Sequence, residues 1–141
     1  MKKLIPIVGK GYTENFFEVN MSDDDLMNQL HLEVDANHFA TIAFELNDNG
    51  LAEWGLEFGD YLLFCSSAES IRDKLILVRS EEKVIIRQAR CITPDISILS
   101  TPGDLFPPLT IPSENIRIIA VLSGVIKPYE GLNIVRVGDL V

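Results

Sequence analysis

Few side chains in this chain are of the types, at the spacings, that perform catalysis or hold a metal. The two histidines, His31 and His38, lie seven positions apart. No cysteine, aspartate or glutamate around them completes the spacing of a metal-binding motif. We therefore interpret both histidines as structural or exposed residues, and we expect no metal site.

Glycine-rich and serine-centred motifs are equally sparse. Residues 9–11 (GKG) are not followed by a helical pattern, so they predict a turn and not a phosphate-binding loop. The sequence has no G-x-S-x-G motif of the kind that presents a nucleophile on a sharp turn. Ser66 and Ser67 follow a predicted strand and are most simply turn residues. We expect no bound cofactor.

One nucleophile arrangement needs no histidine and is common in β domains of this size, namely a serine–lysine dyad. The serine stands at the edge of a loop, and the lysine must be desolvated enough to act as a neutral base. Such a dyad therefore depends on which serines and lysines the strands bring together.

The elements that would position a site are short β-branched or aromatic runs separated by turn residues. Residues 80–82 (SEE) are predicted to join two of these runs as a hairpin. One helix is predicted near residues 22–30, with Ser22 as its N-cap. The consecutive aspartates 23–25 favour the start of that helix and lack the alternate spacing of a calcium loop. The predicted strands are residues 4–8, 16–19, 39–46, 61–65, 74–79, 83–91, 96–99, 116–126 and 133–137.

Length and charge narrow the function classes. A chain of 141 residues with 47% hydrophobic residues predicts one folded domain over residues 1–141. The net charge is −9, and residues 11–71 contain 13 acidic residues and no lysine or arginine. This stretch repels phosphates and anionic lipids, so we expect neither nucleic acid nor a membrane as partner. It is compatible with a basic protein partner, or with solubility alone.

The expected compartment is the cytoplasm. No apolar run is long enough for a transmembrane helix, and the apolar stretch near the N-terminus is too short for a secretion signal. Cys65 and Cys91 lie in apolar, strand-like contexts. Without a secretion signal, they are expected to be reduced thiols in the core.

Several segments form an ordered series along the chain. Residues 55–63 (GLEFGDYLL) fit the pattern G-[IL]-x-x-G-D-x-[LV]-[LV] throughout. Residues 5–9 (IPIVG) and 116–126 (IRIIAVLSGVI) lie at either end of the series. Between them the series continues through residues 74–79, 82–89, 96–100 and 104–108. Over about residues 4–127 this series resembles the C-terminal domain of LexA repressors, UmuD and phage repressors, whose members carry a serine–lysine peptidase site.

Both catalytic residues are replaced at the positions that the resemblance implies. Aligned through Gly59 and Asp60, the serine position falls on Gly50 and the lysine position on Arg87, 37 residues further on. Glycine offers no nucleophile, and arginine stays protonated at any working pH. A register error of one residue changes nothing, because no serine or lysine adjoins either position. The self-cleaved bond expected within about residues 10–14 (KGYTE) is also missing, since no Ala-Gly or Cys-Gly pair is present.

The resemblance implies a small, partly open barrel of strongly bent sheets with one short helix. It also implies a catalytically inactive, peptidase-like interaction or regulatory module that forms a homodimer, partly through residues 116–126, or binds an unidentified protein. The chain begins where the family's C-terminal domain begins, so we expect no helix-turn-helix domain. Two alternatives stay open, a DNA-associated regulator of phage or SOS stress-response type and an active peptidase with a displaced nucleophile. Candidates for that nucleophile are Ser66, Ser67 and Cys65.

Arg87 has two possible environments. Its guanidinium could pair with a carboxylate such as Glu45 or Asp48 and convert the former site into a structural ion pair. Alternatively, its stem could pack along the sheet with its charged head in solvent.

Overall fold

The structure is a computed structural model that describes residues 1–19, 29–66 and 70–136. Strands dominate these ranges, which confirms the mostly-β prediction. Three short 3₁₀ turns, at Ala52–Trp54, Pro102–Asp104 and Ser113–Asn115, are the helical segments found in the described ranges. The strands are β1 (Lys2–Gly11), β2 (Phe17–Glu18), β3 (Leu30–Asp35), β4 (Ile42–Leu46), β5 (Tyr61–Cys65), β6 (Leu75–Ser80), β7 (Lys83–Ile92), β8 (Ile96–Ser100), β9 (Leu109–Pro112), β10 (Arg117–Ile126) and β11 (Ile134–Arg136).

All of these strands belong to one open sheet. Its order is β11-β3-β1-β4-β5-β10-β6-β7-β8-β9, and β2 pairs with β7 beside this path. The pairs are antiparallel except that β1 and β4 run parallel. The long strands β1, β7 and β10 change partner along their lengths, and the register of each shifts at a bulge or irregularity. Because bulges add twist and bend a strand, they allow one sheet to fold back over its own core.

The buried apolar side chains of the described residues form three clusters against this bent sheet. In β5 the first four residues are all buried, so both faces of the strand are covered. Phe44 on β4 stands at the centre of one cluster, with Phe17 and Phe64 in edge-to-face contact at centroid distances of 5.9 Å. Such aromatic contacts add about 0.5–1.5 kcal/mol each to the free energy of area burial. The core therefore ties β2, β4 and β5 together beneath the site described below.

Most strand predictions are confirmed, and β5 matches its prediction at both ends. The SEE hairpin is confirmed as well, since Ser80 pairs with Lys83 across a turn in which Glu81 adopts a positive φ of 56°. The strands β3 and β9 were not predicted. β3 carries a strict alternation of apolar and polar residues (LHLEVD) that predicts a strand with one buried face. β9 ends at Pro112, which is typical of a strand at the edge of a sheet.

Three further expectations meet different outcomes. Most of the helix predicted near residues 22–30 lies outside the described residues, but Leu30 already belongs to β3, so the predicted end is wrong. Cys65 is half-buried, whereas Cys91 is exposed, so a core position is wrong for Cys91. No helix in the described ranges is long and apolar enough to cross a membrane.

Candidate functional site

The two positions expected to be degenerate, Gly50 and Arg87, lie on opposite sides of Thr13. The strands explain this arrangement. β1 and β4 are parallel and pair Gly11 with Leu46, so the segments that follow them leave the sheet side by side. The segment after β1 consists of residues 12–14, here called the strap. The segment after β4 carries Asp48 and Gly50, and it lies directly against the strap.

Asp48 holds the strap from its amide side. One carboxylate oxygen, Oδ2, accepts the backbone N–H groups of Thr13 at 2.6 Å and of Glu14 at 3.2 Å. The other, Oδ1, accepts the Thr13 hydroxyl at 2.7 Å and the Gly50 N–H at 3.1 Å. Charge-assisted hydrogen bonds of this kind are stronger than neutral ones. A single carboxylate therefore fixes both the strap and the turn that follows β4.

Arg87 holds the strap from its carbonyl side. The side chain projects from β7 and is only 1% exposed, among the largest fully buried side chains of the described residues. Its Nε donates to the carbonyl of Thr13 at 2.6 Å and its Nη2 to that of Glu14 at 2.9 Å. Its Nη1 donates to Pro107 at 3.2 Å and, more weakly, to Leu99 at 3.4 Å. The guanidinium thus joins the strap to β8 and to the segment before β9.

The strap also uses its remaining groups within the fold. The carbonyl of Tyr12 accepts the Ile86 N–H at 3.1 Å, and the Tyr12 hydroxyl accepts the Asn47 side-chain amide at 2.9 Å. The Tyr12 ring packs edge-to-face on Phe17 at a centroid distance of 5.3 Å. Residues 12–14 are therefore anchored by β7 on one side and by the segment after β4 on the other.

Position 50 has no room for a side chain. A Cβ built on Gly50 would lie 1.9 Å from the Thr13 Oγ1 and 2.9 Å from Cε2 of Phe106. Both distances are shorter than any real carbon contact, and Gly50 is itself buried. Thr13 thus occupies the volume into which a nucleophile at position 50 would project.

The chemistry available to this cluster is structural. Burial lowers the pKa of Arg87 from its ordinary value, although the carboxylates of Asp48 and Glu14 oppose that change. The guanidinium still stays protonated at any working pH, and it offers donors only. The Thr13 hydroxyl contacts the Asp48 carboxylate, but Thr13 is 0% exposed, so no substrate reaches it. The cluster clamps the chain and has no group placed to attack a substrate.

Neither environment considered for Arg87 is found. Its head is not in solvent, and no ion pair joins it to Glu45 or Asp48, all three being described residues. Instead, Arg87 and Asp48 both bind the strap: Asp48 accepts its N–H groups, and Arg87 donates to its carbonyls. Thr13 is the residue that sequence reasoning missed. Its contact with Arg87 spans 74 positions, and no local pattern marks it.

Two of the other candidate nucleophiles, Cys65 and Ser66, lie at the end of β5. Ser66 is exposed just after β5, and within the described part of the chain no hydrogen bond joins it to a histidine or lysine. Cys65 is half-buried at the end of β5, and Ser67 lies outside the described residues.

His31 lies on β3, the strand beside β1, and pairs with Pro6, six residues before the strap begins. His31 contacts the carbonyl of Gln29 through Nδ1 at 3.1 Å, and the His38 Nδ1 accepts the Ala40 N–H at 3.1 Å. Among the described residues, no group of three histidine, cysteine, aspartate or glutamate side chains could hold a metal ion. Each histidine ring contacts a backbone group two residues away, as is typical of a structural residue.

The Gly-Asp motif on which the sequence register depends has structural roles of its own. Gly55 and Gly59 adopt φ values of 78° and 88°, in the left-handed region that glycine enters without strain. Asp60 is buried, accepts the Glu57 N–H at 2.8 Å and forms an ion pair with Lys127. The motif thus closes the loop before β5 and ties it to the chain after β10.

Two titratable groups beside this loop, Tyr61 and Lys127, should make the fold less stable at alkaline pH. Burial, and then the Glu45 carboxylate, raise the pKa of Tyr61 above its ordinary value of 10.0. The hydrogen bond that Lys127 donates to the Asp60 carboxylate raises the pKa of Lys127 above 10.5. A folded-state pKa above the unfolded one stabilises the fold below the unfolded pKa, and the benefit is lost as pH rises through the folded value.

We therefore expect the urea midpoint to be constant from about pH 7 to 9 and to fall above about pH 10. Tyr61→Phe should reduce that fall, because it removes the phenol whose pKa burial raises. Urea unfolding curves at several pH values measure the effect. A midpoint that stays level up to about pH 11 contradicts the assignment.

No protein-family model matches the chain, and no curated protein matches it. The geometry of the strap and the resemblance seen in the sequence are therefore the observations that bear on function.

Proposed function

We propose that this chain is a catalytically inactive, peptidase-like module of LexA/UmuD type that acts by interaction or regulation. The observation that carries the proposal is the convergence of Gly50 and Arg87 on Thr13. A residue without a side chain and a permanently protonated arginine stand where the resemblance places a nucleophile and a base.

The position of the strap supports the same proposal. The resemblance places the self-cleaved bond of active members within about residues 10–14, and the strap comprises residues 12–14. In this chain that segment lies between the two former catalytic positions and is held by Asp48 and Arg87. A segment that active members would cut has here become part of the fold.

The finer fold and the partners rest on the resemblance as well. A small, partly open barrel is supported by the bulged strands β1, β7 and β10, which bend the sheet. We propose a homodimer or a complex with another protein. Residues 116–126 fall mostly in β10, which pairs with β5 and β6 inside the sheet. Among the described strands, β9 and β11 stand at the two ends of the sheet order and could pair with another chain. A net charge of −9 disfavours direct binding of nucleic acid.

Activity-based labelling tests the proposal. Incubation with a fluorophosphonate probe should add no mass to the protein, while an active serine hydrolase in the same tube is labelled. A separate incubation with iodoacetamide should show no rapid, stoichiometric alkylation of Cys65. A Ser66→Ala variant is the matched control for any adduct. Native mass measurement of the same sample reports whether the unlabelled protein is a dimer.

Each alternative predicts its own result, either in this labelling experiment or in a mobility-shift assay with duplex DNA. A fluorophosphonate adduct lost in Ser66→Ala, or mapped to Ser67, would establish an active peptidase with a displaced nucleophile. Rapid, stoichiometric alkylation of Cys65 would assign that role to the thiol. A salt-sensitive mobility shift of duplex DNA would instead support a DNA-associated regulator. Any of these outcomes overturns the proposal.

A further inference from the structure

Three large apolar side chains are exposed in the loops that follow β4 and β8. Trp54 is 43% exposed, Phe58 62% and Leu105 52%. Large apolar residues clustered on a surface mark interaction sites more often than scattered ones do, and tryptophan is the residue most enriched among binding hot spots. These three side chains are here called the apolar patch.

Trp54 and Leu105 lie in or directly after two turns that contact each other. The 3₁₀ turn Ala52–Trp54 contacts the turn Pro102–Asp104, and the carboxylate of Glu53 lies directly over Gly103. Trp54 ends the first turn and Leu105 follows the second, while Phe58 lies four residues after Trp54. Beneath the turns, Phe106 packs on Gly50. The segment that follows the second turn is therefore packed against the position that Thr13 fills.

The charge around the patch is negative. Asp60 and Asp104 are each neutralised by an ion pair, with Lys127 and Arg90 respectively. Glu53 and Glu57 are exposed, and no ion pair is found for either among the described residues. The patch thus joins exposed apolar groups to exposed carboxylates, of which Glu57 also interacts electrostatically with Lys127. A second copy of this chain fits it poorly, since the same carboxylates would face each other across a symmetric interface.

We propose that the apolar patch is a docking surface for a basic amphipathic segment of a partner protein, whose apolar side chains cover Trp54 and Leu105 and whose lysines or arginines face Glu53 and Glu57. The inference deepens the proposed interaction role and rests on it. It names the surface used and the chemistry of the partner.

The single tryptophan makes this surface directly observable. Trp54 is the only tryptophan of the chain, so its fluorescence reports the patch alone. The probe is a synthetic peptide of about 14 residues, with leucine on one helical face and lysine on the other. Titration into the full chain should shift the Trp54 emission to shorter wavelength and saturate. A peptide with serine replacing leucine, and one with glutamate replacing lysine, should produce no saturable shift.

Matched variants separate docking from general charge attraction. Leu105→Ser should weaken binding of the leucine–lysine peptide about tenfold, and Glu53→Gln with Glu57→Gln about three- to tenfold at low salt. Phe39→Ser, at an 84% exposed position outside the patch, should change the affinity less than about twofold.

Three results would overturn the docking surface. They are an equal response to the serine–lysine peptide, an unchanged affinity in Leu105→Ser, and an emission shift with protein concentration alone, which would mean that a second copy covers the patch. If docking fails while no probe labels the protein, only the surface is wrong. Labelling by a fluorophosphonate overturns the proposed function itself, whatever the peptides do.

Discussion

Replacing Arg87 with methionine is expected to lower the free energy of unfolding by about 3–5 kcal/mol. Methionine fills part of the same buried volume but donates no hydrogen bond. The carbonyls of Thr13, Glu14 and Pro107 would lose their guanidinium donor, as would the more distant Leu99 carbonyl. A buried acceptor left unsatisfied costs about 1–3 kcal/mol, so several together exceed the effect of an ordinary core substitution.

Arg87→Lys keeps the positive charge and is the second, milder variant. A lysine has one nitrogen and cannot reproduce the planar fork that reaches carbonyls on three separate segments. We expect a loss of about 1–3 kcal/mol, smaller than for methionine. Arg79→Met is the matched control, because Arg79 is exposed on β6 and its loss should change stability by less than about 0.5 kcal/mol.

Urea unfolding followed by Trp54 fluorescence measures all three variants. If Arg87→Met proves too unstable to purify, Arg87→Lys still tests the clamp. A change of less than about 0.5 kcal/mol in both Arg87 variants would contradict it, because that is the change expected of a surface arginine.

Placing a single methyl group at position 50 is expected to have the second-largest effect. Gly50→Ala should destabilise the fold by about 3 kcal/mol, because its Cβ would overlap the Thr13 Oγ1 and crowd Phe106. Thr13 cannot simply rotate away, since its hydroxyl is held by Asp48 at 2.7 Å. Relief of the overlap would therefore cost one of the bonds that fix the strap.

A double-mutant cycle isolates this contact. Thr13→Ala removes the clashing oxygen but leaves Asp48 short of one donor, at a cost of about 1–2 kcal/mol. The double variant should be more stable than the sum of the single effects predicts, by about 1 kcal/mol or more. Thr110→Ala, at an exposed position on β9, is the control and should combine additively with Gly50→Ala. Strict additivity at Thr13 would show that the strap does not fill position 50.

Much of the secondary structure follows from local patterns, because side-chain alternation and turn residues act over a few positions. Tyr61–Cys65 and the hairpin at Glu81 are examples. The strand β3 was not predicted although its alternation is clear, because the helix signal just before it extended the predicted helix to residue 30. The position of Cys91 was wrong for a different reason. An apolar local context does not reveal which face of β7 the sheet leaves uncovered.

The candidate site was likewise predicted from the sequence only in part. Sequence reasoning identified Gly50 and Arg87, but it offered Arg87 only an ion pair or solvent. The structure has a buried guanidinium that binds carbonyls, because the strap lies between it and Asp48. No pattern over a few residues indicates that arrangement, since the partners of Arg87 come from segments far apart in the chain.

The amino-acid sequence by itself determined the β class, the acidic stretch of residues 11–71, and the lack of a nucleophile at position 50 and of a neutral base at position 87. These properties belong to single residues or to short periodic runs. Only the tertiary structure decided that Thr13 fills position 50 and that Arg87 is buried against backbone carbonyls. It also decided which apolar groups stay uncovered above them. The physical reason is that parallel pairing of β1 with β4 brings distant segments side by side, and those contacts have no counterpart in local periodicity.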